Sequence, residues 1–223
     1  MATKQTARIA PTDDAAAPAA APTGYLPPLW LAIVLAVTGA AGLLAAFTLA
    51  VERVHLLEDP EATLGCDISP LVTCSGVMAE PQARVFLDIP NPFFGIICFT
   101  AVLVMAALAL GRVRLPRWIW TTFTVGVLLG LVFALWLWQQ SVFVLGVVCP
   151  WCFLVYMTMS ALAPTLTIWA IGSGAVPAPA PVRRVLAHWG EWSWVVSLLL
   201  AMTIVLAIVL RLPDIPRFLI LGY

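Results

Sequence analysis

The chain consists of long apolar stretches joined by short polar connections. Five stretches contain about the 20 mostly apolar residues that a helix needs to cross a bilayer, and none has an acidic or basic residue in its interior. These stretches are residues 29–51, 92–110, 118–138, 147–171 and 192–210. Strands of a membrane barrel would alternate apolar and polar residues over about ten positions, and these stretches do not. The pattern therefore predicts an all-α integral membrane protein.

The composition agrees with this prediction. Of the 223 residues, 62% are hydrophobic and 10% are charged, whereas a soluble domain has about 45–50% apolar and about 25% charged residues. The mean hydropathy is +1.03. Such a chain has too little polar surface for an ordinary soluble enzyme, a disordered protein or a nucleic-acid-binding protein.

The connections predict how the chain is organised. Residues 1–28 are rich in Ala, Pro and Thr without hydrophobic periodicity, which is typical of a disordered tail. The first apolar stretch has 23 residues. The apolar core of a signal peptide has only about 7–15 residues, so we expect this stretch to remain as a membrane anchor. The Ala- and Pro-rich segment 172–182 predicts a linker. The expected parts are a tail (1–28), a four-helix bundle (29–171) with an outer loop (52–91), a linker (172–191), and a fifth helix with a short outer tail (192–223).

Basic residues predict the orientation, because Lys and Arg accumulate in cytoplasmic loops. With five spans, one side of the membrane carries seven basic residues and the other carries four. The seven are Lys4, Arg8, Arg112, Arg114, Arg117, Arg183 and Arg184; the four are Arg53, Arg84, Arg211 and Arg217. We therefore expect a multi-pass protein of the plasma membrane with a cytoplasmic N-terminus. The loop 52–91 and the C-terminus are then extracytoplasmic.

This orientation places four of the five cysteines at the outer, oxidising side of the membrane, where disulfides persist. Cys66 and Cys74 lie in the outer loop, and Cys149 and Cys152 lie where the fourth span begins. Cys98 lies inside the second span, where we expect a buried small hydrophobic residue without a redox role.

The sequence Cys149-Pro-Trp-Cys152 predicts a helix start that carries a reactive dithiol. Proline favours the first helical position, so Pro150 begins the helix and Cys149 caps it. The positive end of a helix lowers a thiol pKa, and Cys152 lies on the same helix face. Two small apolar residues at a helix end, or zinc ligands, are the alternatives. Covalent haem attachment would need His after Cys152, where the chain has Phe153.

Cys66 and Cys74 enclose seven residues, and three interpretations remain open for them. They could form a structural disulfide that clips the loop. They could be a second, mobile dithiol that carries electrons between an outside partner and the first pair. Zinc bound by all four thiols is disfavoured, because no His is nearby and one pair belongs to a membrane helix.

The arrangement resembles the vitamin K epoxide reductase family, in particular its bacterial five-span homologues. The motifs are the loop cysteine pair followed by Ser75, Asn91 at the start of the second span, and the second pair with Tyr156 four residues after Cys152. The resemblance covers about residues 29–171. It implies a four-helix transmembrane bundle around a quinone, plus a fifth transmembrane helix.

The resemblance also implies an activity. Bacterial members reoxidise a thioredoxin-fold protein, such as a DsbA-like protein, and pass two electrons to a membrane quinone, menaquinone or ubiquinone. Cys66 would be the exposed thiol that exchanges with the partner, Cys74 would relay to Cys149, and Cys152 would lie nearest the quinone. Many members carry a fused thioredoxin-like domain. This chain ends at Tyr223, so we expect a separate partner, together with membrane lipid and no nucleic acid.

The expected quinone pocket is apolar with a few orienting polar groups. Asn91 and Tyr156 match family positions that hydrogen-bond quinone oxygens. Five residues at the outer ends of the second and fourth spans are expected to contact the quinone: Asn91, Phe94, Trp151, Phe153 and Tyr156. We expect residues 78–89 to form a short surface helix that roofs the pocket.

Gly126, Gly130 and Ala134 form a stripe of small residues that is expected to let helices pack closely. Reduction of vitamin K quinone or its epoxide is an alternative activity for the same fold. A thiol-based metal-binding membrane protein is the non-enzymatic alternative, but the spans carry almost no polar groups for it, and we expect no metal.

Overall fold

The structure, a computed structural model, describes residues 24–60 and 62–215, except for the side chain of Glu191. It is 75% helical and has no strand in these ranges, which confirms the all-α prediction. The α-helices are α1 (Leu29–Glu58), α2 (Ser75–Met78), α3 (Asn91–Leu110), α4 (Arg117–Gln139), α5 (Pro150–Gly172), α6 (Ala180–His188) and α7 (Ser193–Arg211). Two 3₁₀ turns (Pro81–Arg84 and Trp189–Trp192) and a π-helical extension of α4 (Gln140–Leu145) complete the helical elements.

Five helices of the described chain are long and apolar enough to cross a membrane: α1, α3, α4 with its extension, α5 and α7. This confirms the predicted spans, although two are longer than the hydropathy pattern suggested. Helix α1 continues to Glu58, and the helix that begins with α4 continues to Leu145. The predicted linker contains α6. Hydropathy marks the part of a helix that lies in lipid, whereas backbone hydrogen bonds carry the helix further.

Of the predicted tail, the structure describes residues 24–28, which pair with the connection between α3 and α4. The Tyr25 N–H donates to the Leu115 carbonyl at 2.9 Å, and the Leu115 N–H donates back at 3.1 Å. Pro27 is fully buried. This pairing holds the entry of α1 and the α3–α4 connection at one end of the protein. Lys4, Arg8 and Arg217, used in predicting the orientation, lie outside the described residues.

Helix α5 lies at the centre of the bundle. It contacts α1, α4, α6 and α7, while α3 packs against α1. In the most apolar part of α5, 56% of the residues are buried, against 22% in α4 and 22% in α7. Helix α5 therefore packs against more protein than α4 or α7 does, and its buried residues run from Tyr156 to Ala170.

Glycines on α1 allow α3 to pack closely. A Cβ atom at Gly42 would overlap the ring of Phe99, and one at Gly39 would lie 3.0 Å from Leu103. Phe99 is only 4% exposed, so its ring has little room to move. The α1–α3 interface therefore depends on the missing side chain at Gly42.

We predict that Gly42→Ala lowers the free energy of unfolding by about 1–3 kcal/mol, because an extra methyl group in a packed interface forces neighbours to shift. The measurement is the midpoint of thermal unfolding in detergent. Gly126→Ala is the matched control, because a Cβ at Gly126 meets nothing within 4 Å. Equal midpoints for the two variants would contradict the prediction.

Candidate active site

The two cysteine pairs meet at one end of the bundle. Cys66 and Cys74 form a disulfide, and Cys149 and Cys152 are free thiols. The Sγ atom of Cys149 lies 3.3 Å from the Sγ atom of Cys74, and both residues are almost completely buried. The loop pair and the helix pair are therefore in direct sulfur–sulfur contact.

The start of α5 has the predicted form. Pro150 is the first helical residue, Cys149 is the N-cap, and its sulfur accepts the N–H of Cys152 at 3.4 Å. Residues three apart lie on one face of a helix, so Cys152 lies one turn deeper in the bundle. Cys149 thus faces the loop disulfide, and Cys152 leads away from it.

A short backbone pairing brings the loop to α5. Val72 and Val148 form an isolated parallel bridge. The Thr73 N–H donates to the Val148 carbonyl at 3.1 Å, and the Val148 N–H donates to the Leu71 carbonyl at 2.8 Å. The bridge lies two residues before Cys74 and one residue before Cys149, so it sets the position of both sulfurs.

Asp67 organises the loop from inside. Its Oδ1 atom accepts the Thr73 hydroxyl at 2.6 Å, the Cys74 N–H at 2.8 Å and the Ser75 N–H at 3.1 Å. Its Oδ2 atom accepts the Leu64 N–H at 3.2 Å. Burial raises the pKa of Asp67, but the hydrogen bonds from Thr73, Ser75 and Cys74 outweigh it and lower that pKa to about 2. Asp67 therefore stays ionised and holds the loop closed.

Asp67 was not singled out in the sequence, although a signal was present. Asp next to a constrained position often accepts hydrogen bonds from backbone N–H groups a few residues away. Here the partners lie up to eight residues later in the chain. Only closure of the loop by the disulfide brings those groups to the carboxylate.

The expectation that Cys66 is exposed is wrong for this conformation. Cys66 is 4% exposed and packs in a cluster with Leu49, Leu64 and Met78. The reason is that the loop turns its apolar side chains onto the outer end of α1. A protein partner can reach the Cys66 sulfur only if this part of the loop moves.

Below the cysteines lies a cavity of about 320 Å³. Helices α1, α3, α4 and α5 form its walls, and α2 and the Pro81–Arg84 turn cover it. Cys152, Tyr156, Asn91 and Phe94 are among the lining residues. The second cysteine pair therefore connects the loop disulfide with a largely apolar cavity inside the bundle.

Two residues that were expected to contact the quinone do not line the cavity. Trp151 packs against the cysteine cluster, and Phe153 packs against the main core. Helix α5 presents Cys152, Val155, Tyr156 and Met159 to the cavity, which is the i, i+3, i+4, i+7 face of a helix. Residues directly before and after Cys152 are rotated away by about 100° each, so neither can share that face.

Small residues make room for the cavity. Gly126, Gly130 and Ala134 of α4 line it. The close helix contact that was expected is present at Gly130, where a Cβ atom would lie 3.2 Å from Met159 of α5. A Cβ atom at Gly126 would meet nothing within 4 Å. Cys98 also lines the cavity and is an exposed residue, so the expectation that it is buried is wrong. A stripe of small residues on one helix does not reveal whether a helix or a ligand occupies the space.

The cover of the cavity consists of two short helical pieces, and the expectation of a single helix over 78–89 is wrong. Leu87 and Asp88 have positive φ angles of 52° and 61°, which end the helical path. The Phe86 ring packs against both walls of the cavity. Its centroid lies 5.2 Å from that of Phe94 on α3 and 5.4 Å from that of Phe133 on α4. These contacts tie the cover to both walls.

Asn91 joins this cover to α3. Its Nδ2 donates to the Gln82 carbonyl at 2.7 Å, and its Oδ1 accepts the Val85 N–H at 3.2 Å. Asn91 thus lines the cavity and also holds the Pro81–Arg84 turn in place.

We predict that Asp67→Asn weakens the closed loop by about 1–3 kcal/mol, because a charged acceptor of several hydrogen bonds is lost. The measurement is amide hydrogen exchange of residues 64–76, which should become faster. In the wild type, the contribution of Asp67 is present above its unfolded pKa near 3.8 and is lost as the pH falls toward 2. The variant should lack this acid dependence.

Asp88→Asn is the matched control for this prediction. The Asp88 carboxylate pairs with Arg84 at 3.3 Å, and its side chain is 80% exposed, so the pair contributes only about 0–1 kcal/mol. Asn also tolerates the left-handed conformation found here. Equal exchange rates in the Asp67 and Asp88 variants would refute the role of Asp67.

The sequence matches the vitamin K epoxide reductase family over residues 33–168, which is more than half of the chain. No curated protein matches it. The matched region contains both cysteine pairs and most of the four helices that form the cavity. The family implies a membrane thiol–quinone oxidoreductase, which fits the two cysteine pairs. The chain therefore belongs to the vitamin K epoxide reductase family.

Proposed function

We propose that the protein reoxidises a separate thioredoxin-fold, DsbA-like protein outside the cytoplasm and passes its electrons to a membrane quinone. The observation that carries this proposal is the continuous path of sulfur atoms. Cys74 of the loop disulfide touches Cys149 at 3.3 Å, and Cys152, one helical turn further, lines the cavity. Such a path supports thiol–disulfide exchange between a protein outside and an acceptor inside the bundle.

The first exchange takes place at the loop pair. A thiolate of the reduced partner attacks the Cys66 sulfur and releases the Cys74 thiolate. The second partner thiol then displaces Cys66, so the partner leaves as a disulfide and the loop keeps a dithiol. Because Cys66 is buried in the closed loop, this step needs the loop to open.

The second exchange uses the contact between the pairs. The Cys74 thiolate attacks Cys149 of an oxidised Cys149–Cys152 disulfide, and Cys152 leaves as a thiolate. Cys66 then attacks Cys74 and releases Cys149. The products are a Cys66–Cys74 disulfide and a Cys149/Cys152 dithiol, which is the arrangement of the structure.

The cavity fits a quinone ring. Its lining is largely apolar, and the Tyr156 hydroxyl and one remaining N–H of Asn91 are donors suited to carbonyl oxygens. With menaquinone or ubiquinone bound here, the Cys149/Cys152 dithiol would give up two electrons and two protons and become a disulfide, and the quinone would leave as the hydroquinone. The chain places the Cys152 thiol at the cavity wall and Tyr156 one turn below it. The walls α3 and α4 are separated by the cavity, which leaves room for a lipid-soluble ligand.

The orientation proposed from the basic residues suits this chemistry. The loop pair and the start of α5 lie at the opposite end from the Tyr25–Leu115 pairing. In the proposed plasma-membrane topology, this places the cysteines outside, where disulfide formation is favoured. The four-helix bundle then carries the reaction, with α7 as an additional membrane helix.

Reduction of vitamin K quinone or its epoxide stays the alternative activity, since the same path would serve it. Metal binding is less favoured. Among the described residues, no group of three or more His, Cys, Asp or Glu side chains is placed to hold a metal ion. Two of the four clustered cysteines are joined in a disulfide, which removes them as thiolate ligands.

We predict that Cys149→Ala and Cys152→Ala each abolish quinone reduction by a reduced thioredoxin-fold protein, because each breaks the path of sulfur atoms. Cys66→Ala should abolish turnover with the protein substrate but keep measurable turnover with a small dithiol. The measurement is the rate of quinone absorbance loss. Cys98→Ala is the control for the loss of a thiol. Because Cys98 has no cysteine partner, the rate at saturating quinone should stay at the wild-type value, and only the quinone KM should respond to its place in the cavity wall. Full activity of Cys149→Ala would end the proposal.

We predict that Cys74→Ala traps the oxidised partner as a mixed disulfide on Cys66. The Cys66 thiolate attacks the partner's disulfide and releases one partner thiolate, and no Cys74 thiol is present to displace the partner from Cys66. The complex should appear on non-reducing gels and contain, by mass spectrometry, a protein with a thioredoxin fold. The Cys66→Ala/Cys74→Ala double variant is the control and should trap nothing. A trapped protein of another fold would contradict the proposed partner.

A further inference from the structure

Exposed arginines gather at the end of the bundle opposite to the cysteines. Three belong to the connection between α3 and α4 and the first residue of α4, and two belong to α6: Arg112, Arg114, Arg117, Arg183 and Arg184. None of the five forms an ion pair with a described side chain. Guanidinium groups that no carboxylate neutralises are suited to binding an anionic group such as phosphate.

Two of these arginines lie beside the segment that leads into α1. A Cβ atom at Gly174 would lie 3.9 Å from Nη1 of Arg183 and 3.9 Å from the hydroxyl oxygen of Tyr25, so these two polar groups are neighbours. Arg114 lies next to Gly24, whose carbonyl accepts from Nη1 of Arg114 at 3.5 Å. Residues 24 and 25 therefore have one arginine of the α3–α4 connection and one arginine of α6 close by.

The donors of these three side chains are largely unused. Neither the Arg183 guanidinium nor the Tyr25 hydroxyl has a hydrogen-bond partner among the described residues. Arg114 makes one long side-chain hydrogen bond, at 3.5 Å. Guanidinium groups and a phenol hydroxyl can all donate to a phosphate oxygen, so this corner of the protein offers several donors to an anionic ligand.

Tryptophans place this corner at the level of the membrane–water interface. Trp30, Trp118 and Trp194 are the second residues of α1, α4 and α7, the three long helices that begin at this end. All three side chains are exposed. Because exposed tryptophan favours the headgroup region of a bilayer, the arginines lie at the depth of the lipid phosphate groups.

Helix α6 has the features of a helix that lies in this interface. It rests on the end of α5, where a Cβ atom at Gly172 would lie 3.1 Å from the backbone of Ala187. Val182, Val185 and the following Trp189 are exposed and have the i, i+3, i+7 spacing of one helical face. Such an apolar face enters the headgroup region, and basic residues beside it attract anionic lipids.

We propose that Arg183, Tyr25 and Arg114 bind the phosphate group of an anionic phospholipid. Charge complementarity identifies the lipid class, because the arginines have no carboxylate partner and a zwitterionic lipid would bring a further cation to them. The three residues belong to α6, the entry of α1 and the α3–α4 connection, so the bound lipid would join three separate segments. This site is distinct from the cavity and the cysteines, and the inference does not rest on the proposed function.

The test is Arg183→Gln, which removes the charge from an exposed side chain and keeps a polar one. Phosphatidylglycerol is titrated onto the purified full-length protein in detergent, and the bound fraction is measured by native mass spectrometry. The dissociation constant should rise about fivefold in the variant, the effect of one lost basic residue at a lipid surface. Tyr25→Phe should raise it about twofold to fivefold, through the loss of one hydrogen bond.

Arg184→Gln is the matched control, because it removes the same charge from the next residue of α6, and Arg184 is not among the nearest neighbours of Gly174. Its dissociation constant should change less than about twofold. Equal losses in the Arg183 and Arg184 variants would overturn the site and indicate only a general attraction to a basic surface.

Two further arms identify the ligand. Phosphatidylcholine with the same acyl chains should bind the wild type more weakly than phosphatidylglycerol, and equal affinity would overturn the assignment of an anionic lipid. Inorganic phosphate at the same concentration should leave the bound phosphatidylglycerol in place, because phosphate lacks acyl chains to lie against the apolar helices. Displacement by phosphate would show a site for the free anion and would overturn the assignment of a lipid.

Discussion

Thiol–disulfide exchange needs one sulfur to attack another directly, so the fold must bring two distant cysteines into contact. Cys74 and Cys149 are 75 residues apart in the chain, and their sulfurs lie 3.3 Å apart. The Val72–Val148 pairing and the Asp67 carboxylate hold the loop in this position. The capped start of α5 and the cavity beneath it gain a chemical role only through that contact.

The same geometry places the two cysteines of α5 in different surroundings. Cys149 lies at the end of the bundle beside the loop, and Cys152 lies one turn deeper, at the cavity wall. In the proposed function, this arrangement lets electrons pass from a water-soluble protein to a lipid-soluble acceptor without contact between the two. Glycine and alanine on α4 provide the space, and the rings of Phe86, Phe94 and Phe133 fasten the cover over it.

Sequence reasoning succeeded where the cause is local. The Cys149-Pro150 pair predicted the helix start because proline at the first helical position needs no neighbour from elsewhere in the chain. Tyr156 was placed correctly at the cavity because four residues make about one helical turn from Cys152. The expected quinone contacts of Trp151 and Phe153 do not fit the cavity. They were chosen for their aromatic side chains, without regard to which face of the helix they occupy.

The roles of other residues depend on partners far away in the chain, so the sequence carried at most a local signal for them. Asp67 is one acidic residue among several in the loop until the folded loop supplies its donors. Cys66 was expected to be exposed, yet packing on α1 buries it.

Taken alone, the sequence determined the five membrane helices, the all-α class and the start of α5. It did so because lipid requires long apolar segments that satisfy their own backbone hydrogen bonds, and proline restricts the backbone locally. The tertiary structure alone decided which sulfurs touch and where the cavity lies. Contacts between residues far apart in the chain set these features, and hydrophobic pattern carries no information about which helix faces meet across a space.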